Sequence, residues 1–471
     1  MSAPIGEKTH EQATGLGAAT IAARLDRLPA TRAVWMRVIL LSLGGFFEFY
    51  DMFFTGYIGP GLVRSHILTP TTTGFFGTTG LASFVAAMFA GLFLGTSIFS
   101  FLADRLGRRA IFTYSLLWYS AATVIMAFQN DAFGLNLWRF IVGIGVGVEL
   151  VTIDAYLSEM VPAALRGRAF ALNNVIQFSS VTVVAFLSWI LVPRSPFGID
   201  GWRWVMLIAA IGAVCVWWIR RSVPESPRWL ARHGRIAEAE RIMDRMEADA
   251  VREGGVLAPL AKLPEPESTR GNFGEIWKGP YLRRTIMLSI FNLFQAVGYY
   301  GFANWVPTLL IKQGITLTNT LLYTFLIAIA APFGPLLSTI FADKVERKWQ
   351  IVGCAALVAI SGTLFGQTTL APMLIFLGVV LTLSNNAMSF AFHTYQAELY
   401  PTRVRALAIG FVYSWSRLSV VFSAFVIAFF LERFGVAGVF LFISGAMLIV
   451  IAAIGIMGPK TRGLALEVIS E

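Results

Sequence analysis

Asp104-Arg105-Leu106-Gly107-Arg108-Arg109 joins two long apolar runs, and 239 residues later Asp343-Lys344-Val345-Glu346-Arg347-Lys348 does the same. The offset recurs elsewhere: Glu159, Pro162 and Arg166 are matched by Glu398, Pro401 and Arg405, again 239 residues on. One offset shared by two separated motifs marks the halves of the chain as structural repeats.

The rest of the sequence explains what repeats. Of 471 residues 56% are hydrophobic and 14% charged, with a mean hydropathy of +0.68. Water-soluble domains carry about a quarter charged residues, so this chain has too few to cover a surface facing water. Apolar stretches near the ~20 residues needed to cross a bilayer recur throughout. Backbone in hydrocarbon must satisfy its own hydrogen bonds, and stretches of this length without dyad alternation do so as helices. Twelve spans are expected, near 36–62, 75–102, 110–129, 134–157, 169–192, 202–221, 283–311, 319–341, 350–367, 372–396, 407–431 and 436–457. The expected fold class is an all-α membrane protein with two pseudo-symmetric six-helix lobes.

The net charge of +10 follows from topology and does not call for nucleic acid. Of 37 Lys and Arg, thirty fall in the tails and in loops after even-numbered spans. Only Arg64, Arg194, Arg203, Lys312 and Arg433 follow odd-numbered ones, and Arg139 and Arg417 lie inside spans. Positive charge marks the cytoplasmic side, which places both termini there. The resulting domains are an amino tail (1–35), an amino-terminal lobe (36–221), a cytoplasmic linker with short helices (222–282), a carboxyl-terminal lobe (283–457) and a carboxyl tail (458–471). Within the linker, Arg235 to Arg252 has helical spacing, 254–271 reads as loop, and the whole is expected to be largely solvated. The first 35 residues do not resemble a cleaved signal peptide. Two cysteines, Cys215 and Cys354, form neither a disulfide framework nor a metal motif. The Gly143-Ile144-Gly145-Val146-Gly147 run lacks nucleotide-loop spacing and lies in a span, where small residues allow close helix packing.

These motifs resemble the major facilitator superfamily over nearly the whole chain, in its sugar-porter-like branch of metabolite:proton symporters. Asp104 to Arg109 is similar to the loop between spans 2 and 3, although Ser100 replaces an opening Gly and the second copy has Glu346 for Gly. Pro224-Glu225-Ser226-Pro227-Arg228-Trp229-Leu230 resembles the signature after span 6 of sugar porters. Pro459-Lys460-Thr461-Arg462-Gly463 resembles its counterpart after span 12, with Lys460 in place of an acid. The charged residues Asp104, Arg108, Glu159, Arg166, Asp343, Glu398 and Arg405 sit at cytoplasmic helix ends. Either they latch the lobes as an inner gate, or they cap helices and obey the positive-inside rule.

A charge in mid-bilayer costs about 2.5–3.5 kcal/mol on insertion scales. Glu48, Asp51, Arg139, Glu149, Asp154 and Arg417 nevertheless lie within spans. Asp51 follows Tyr50, and Arg139 opens span 4, as in proton-coupled sugar porters, where the resemblance implies a proton switch between acid and arginine. The alternative is a permanent structural pair. Glu48, three residues before Asp51, and Glu149 are further proton-coupling candidates; Asp154 is expected at the interface. Arg417, near mid-membrane with Tyr413 one turn earlier, suits an anionic substrate because its planar fork binds carboxylates bidentately; the alternative is a pair with an acid across the cavity. In span 7, Gln295, Tyr299 and Tyr300 followed by Trp305-Val306-Pro307 depart from the sugar-porter pattern. They resemble the niacin and organic-ion transporters and the related synaptic-vesicle glycoproteins. Trp415, Asn386, His393 and Gln177 complete the candidate cavity lining.

The expectation is therefore a monomeric, proton-coupled importer of a small organic anion, an aromatic monocarboxylate such as nicotinate, in the inner membrane. It has no cofactor, no metal and no nucleic-acid partner. The rivals are a proton–sugar symporter and a non-transporting receptor on the same fold. No paired nucleophile and base and no cofactor fingerprint suggests an enzyme.

Overall fold

The structure is a computed structural model that describes residues 17–73, 79–98, 105–260, 272–342 and 345–461. Asp104, Asp343 and Ser100 lie outside the described residues. Ten described helices are long and apolar enough to cross a membrane. The last of these, Thr402–Ala452, is two spans broken at Gly435, whose φ of 65° and ψ of −164° are open to glycine and strained for any other residue. One further span, the sixth, is in two pieces, Gly201–Ala209 and Ile211–Ser222, joined at Ala210. Together these give the twelve helices read from hydropathy.

Span 1 runs Arg32–Arg64, span 2 Gly80–Ile98, span 3 Arg108–Ala127, span 4 Ala132–Met160 and span 5 Arg166–Leu191. Span 7 is Gly279–Ala303, with Val306–Lys312 continuing past a break at Asn304 and Trp305. Pro307 sits in the first turn of that second piece, where a missing N–H costs nothing. Span 8 is likewise divided into Leu317–Ala328 and Phe333–Ala342; span 9 is Arg347–Gln367 and span 10 Ala371–Glu398. Helix starts are set locally, as at span 4, where the Asp131 carboxylate accepts the Gly134 N–H at 2.7 Å.

Within the amino-terminal lobe, span 2 packs on span 4 and span 1 on span 5; across the lobes, span 5 meets span 8 and span 2 meets the long carboxyl-terminal helix. Spans 2 and 4 touch backbone to backbone, since a Cβ at Gly143 would stand 2.3 Å from the Met88 carbonyl oxygen. The glycine run thus works as a packing face. Span 1 is central. Every residue from Tyr50 to Leu62 is buried, which places Asp51 in the interior and not against lipid.

On the side of the termini, the linker departs from the solvated stretch expected of it. Helix 17–26 lays Ile21 and Leu25 against Trp229, Met243 and Met246 of the linker helices Pro227–Arg232 and Ile236–Arg252, a second hydrophobic core under the amino-terminal lobe. The charges are used as well: Arg24 and Arg27 both hold the Glu247 carboxylate at 2.7 Å, and Asp26 accepts from Arg228 at 2.7 Å and from the Ala163 N–H at 2.8 Å. The helical spacing that marks 235–252 also gives it an apolar stripe, and that stripe needs a cover.

Candidate functional site

Asp51 and Arg139 meet at the centre of the amino-terminal lobe, both fully buried. Arg139 Nη1 donates to Asp51 Oδ1 at 2.7 Å and Nη2 to the Asp51 carbonyl oxygen at 2.7 Å. Nη2 also donates to Thr55 Oγ1. The second carboxylate oxygen of Asp51 accepts from Thr123 Oγ1 at 2.7 Å. Phe54 and Phe84 cover the guanidinium, with ring centroids 4.3 and 5.2 Å from Cζ. Both acceptor atoms of the carboxylate are therefore engaged, which is the condition under which a buried ion pair recovers its desolvation cost. Thr55 and Thr123 escaped sequence reading, because a lone hydroxyl in an apolar run has no distinguishing pattern.

The other two acids of this lobe are held differently. Glu48 is wholly buried, and neither carboxylate oxygen has a hydrogen-bond partner. Glu149 is equally buried; Oε2 accepts from Ser115 Oγ at a long 3.4 Å and Oε1 has no partner. Asp154, one turn further toward the termini, is exposed.

In the carboxyl-terminal lobe Arg417 is 3% exposed. Its Nη2 donates to the Tyr413 hydroxyl at 3.1 Å and Nη1 to the Tyr300 hydroxyl at 3.4 Å, and Cζ lies 4.5 Å from the Tyr413 ring centroid. Among the described residues no carboxylate pairs with it. Tyr300 stands edge-on to Tyr299 with centroids 4.9 Å apart, and Phe89 of span 2 reaches across to Tyr300 at 4.7 Å. His393 meets the Tyr413 ring edge-on at 5.3 Å. The structure thus gathers Arg417, Tyr299, Tyr300, Tyr413 and His393 and adds Phe89 and Phe53, which both pack on Tyr300 and carry no distinguishing pattern in the sequence.

The Asn386 amide donates to the Ala331 carbonyl oxygen at 2.8 Å, which satisfies a backbone acceptor freed by the break in span 8. Gln177 lies against Gly45 of span 1, and Gln295 is half-buried on span 7. Trp415, about 200° around the helix from Arg417, meets Phe411 with centroids 6.2 Å apart. A cleft of about 480 Å³, open solvent at its mouth included, lies between the lobes, lined by Phe53, Tyr57, Tyr299, Phe302, Asn385 and Asn386 among others. Arg417 does not line it; Tyr299 and its neighbour Tyr300 connect the two.

At the end away from the termini the lobes are closed on each other. Trp189 of span 5 stacks on Phe325 of span 8 with centroids 5.8 Å apart and planes inclined by 6°, and Thr182 Oγ1 donates to the Ala328 carbonyl oxygen at 2.8 Å. Toward the termini, Asp154 and His393 are exposed.

Several of the charged residues at the terminal side pair with described residues of their own lobe or of the amino-terminal helix. Arg108 binds Glu159 at 3.2 Å, and Arg347 pairs with Glu398, its counterpart 239 residues on. Arg166 faces Asp26 at 3.8 Å, and Arg405 donates to the Tyr400 carbonyl oxygen at 3.1 Å. The Glu225 carboxylate accepts the Arg109 N–H at 3.1 Å, closing the amino end of span 3. Burial pushes the Glu225 carboxyl up, against the opposing pull of the N–H groups of Ser226, Arg109 and Arg108.

Two lobes of six spans, a buried acid–arginine pair and an inter-lobe cleft define a transport protein of the membrane, not an enzyme. The chain belongs to the Sugar (and other) transporter family, which it matches over residues 37–471. It is similar to the Niacin transporter NiaP of Acinetobacter baylyi, 29% identical over 95% of this chain and 99% of that protein. It is also similar to the Inner membrane metabolite transport protein YdjE of Escherichia coli, 30% identical over 96% of this chain and 98% of that one. Its fold matches the xylose transporter XylE of E. coli in a partially occluded inward-open conformation with a TM-score of 0.72, at 19% identity over 92% of this chain and 99% of that one.

Proposed function

We propose that this transporter carries a small aromatic monocarboxylate, with nicotinate as the compound to test first, into the cell across the inner membrane together with protons. A single chain supplies the whole path, and both termini face the cytoplasm. The observation that carries this reading is Arg417, a buried cation at the lobe boundary whose partners are two neutral tyrosine hydroxyls. A buried charge calls for a counter-charge, and a carboxylate supplies one in the bidentate geometry a guanidinium prefers. Tyr299, Tyr300 and Phe89 offer faces and edges to a flat ring. The proton is assigned to the acids of the amino-terminal lobe, with Asp51 and Arg139 as the switch and Glu48 and Glu149 beside them. Alternating access follows from rocking of the two lobes around this centre.

A proton–sugar symporter is the second reading, favoured by the family and by the likeness to the xylose transporter. Uptake into proteoliposomes under an imposed proton gradient separates the two. Labelled nicotinate should accumulate, with nicotinate itself competing and xylose not. Arg417→Ala should lose most affinity for nicotinate and Arg417→Lys an intermediate amount, because a point charge replaces a planar fork. Nicotinamide should bind weakly and lose little in Arg417→Ala. Equal losses for acid and amide would mean that Arg417 holds the fold and does not read the substrate.

A further inference from the structure

Asp51 already has its cation, and both of its carboxylate oxygens are satisfied. Glu48, one turn away on the same helix, has no hydrogen-bond partner on either oxygen and no solvent access. Geometry brings span 1 to both lobes here: Phe53, on the helix of Glu48, stacks on Tyr300, whose hydroxyl holds Arg417, and a Cβ at Gly44, one turn before Glu48, would stand 3.2 Å from Glu149 Oε1. The charged and titratable groups around Glu48 and its neighbours are Arg417, Tyr300 of span 7, Glu149 and Asp154 of span 4, and Tyr119 of span 3. Glu149 is an acid with a single weak donor, and Asp154 is an exposed one. Asp51 lies on Glu48's own helix with Arg139 committed to it. Among the described residues, the cation near Glu48 that is uncommitted to any carboxylate is Arg417, whose Nε is also without a hydrogen-bond partner.

Two buried groups of opposite sign, each lacking a counter-charge, have two low-energy arrangements. In one, ionised Glu48 answers Arg417 directly. In the other, an anion from outside answers Arg417 and Glu48 holds a proton, because a second buried negative charge beside the first would have no compensation. The tyrosine hydroxyls that now hold Arg417 are neutral and readily exchanged for either carboxylate.

We propose that Glu48 and the carboxylate of the substrate compete for Arg417, so that binding the anion loads a proton on Glu48. This rests on the anion reading given above and assigns the coupling within it. The balance is simple: one substrate carboxylate and one proton enter from the water on the same side, and no net charge is added to the Arg417 site. The substrate-linked proton then rides on Glu48, one turn from the Asp51–Arg139 switch. Release runs backward on the other side, where the departing anion leaves Arg417 to attract ionised Glu48.

Infrared difference spectroscopy of the purified protein in nanodiscs tests this with and without ligand. The protonated-carboxyl band lost in Glu48→Gln identifies Glu48. Without ligand, that band should persist to higher pH in Arg417→Gln than in wild type, and stay near wild type in Arg417→Lys, which keeps the charge. An unchanged band in Arg417→Gln would overturn the proposal whatever the substrate is. With nicotinate, the Glu48 band of the wild type should grow, binding should take up a proton from lightly buffered solution, and affinity should fall about tenfold per pH unit once Glu48 ionises. Glu48→Gln should bind nicotinate without proton uptake and with a flat pH profile. Wild-type proton uptake in Glu48→Gln would also overturn it. A band that responds to Arg417→Gln but not to nicotinate would leave the Glu48–Arg417 linkage standing and remove the aromatic-acid reading.

Discussion

The Glu346 carboxylate accepts the backbone N–H of Thr461 at 2.8 Å. In the amino-terminal lobe the equivalent bond runs the other way. Gly107 stands where Glu346 stands in the other repeat, and the acid comes instead from Glu225, on the segment after span 6, to cap Arg109. A Cβ at Gly107 would lie 2.4 Å from that carboxylate, and the residue's φ is +97°. Two tyrosines fix the comparison: Tyr156 donates to the Pro224 carbonyl oxygen, and Tyr395, 239 residues on, to that of Pro459 at 2.7 Å. Lys460 therefore occupies the place of Glu225. The two departures from the family pattern, Glu346 for Gly and Lys460 for an acid, compensate each other.

Glu346→Gly should accordingly destabilise the carboxyl-terminal lobe by about 1.5 kcal/mol, the low end for a bond to a charged group, since Glu346 is only half-buried. Adding Lys460→Glu should restore part of the loss by recreating the amino-lobe arrangement. Thermal unfolding of the purified single and double variants reads this directly. A double variant no more stable than Glu346→Gly would show that the exchange is not compensatory.

Removing Arg139 leaves Asp51 buried beside a lone Thr123 hydroxyl. Arg139→Leu should cost about 3–5 kcal/mol, the usual penalty for orphaning a buried charge, and be seen as low yield and early unfolding. Asp51→Asn keeps the shape of the site. It should fold, bind and exchange substrate, yet fail to accumulate it under a proton gradient. Wild-type accumulation in Asp51→Asn would refute the switch.

Acid should release the strap between the amino-terminal helix and the linker. Burial pushes the Glu247 carboxyl up, but hydrogen bonds from Arg24 and Arg27 outweigh it and hold the group below the ordinary glutamate value, which is about 4.3. A carboxylate held low stabilises the folded contact above that value and loses the contribution as pH falls through its lower folded value. Hydrogen-exchange protection of residues 17–28, relative to the unstructured chain at the same pH, should be high at pH 7 and fall selectively below about pH 4. Glu247→Gln should show the low protection already at pH 7.

The distribution of basic residues predicts that the termini and the linker face the cytoplasm. A cysteine placed at Glu265, outside the described residues, in a background lacking Cys215 and Cys354, should react with an impermeant maleimide only after cells are opened. Labelling of intact cells would reverse the topology.

The twelve spans, the repeat offset of 239 and the identity of the intramembrane charges could all be read from the linear sequence. They depend on local or one-dimensional properties: runs of apolar residues long enough for a bilayer, and residues that recur at a fixed distance. Asp51 and Arg139 were both visible as costly charges for the same reason. The tertiary structure decided which groups answer those charges. Thr123 satisfies Asp51, and two tyrosine hydroxyls from different helices hold Arg417. Glu48 is left with nothing, Asn386 is spent on a broken backbone, and the linker is bound to the amino tail. A hydroxyl or an amide in an apolar run carries no period and no sign that names its partner. Its role is set by which helices pack beside it, and that is fixed by side-chain shape and by close approach at glycines such as Gly143, across distances the sequence does not encode locally.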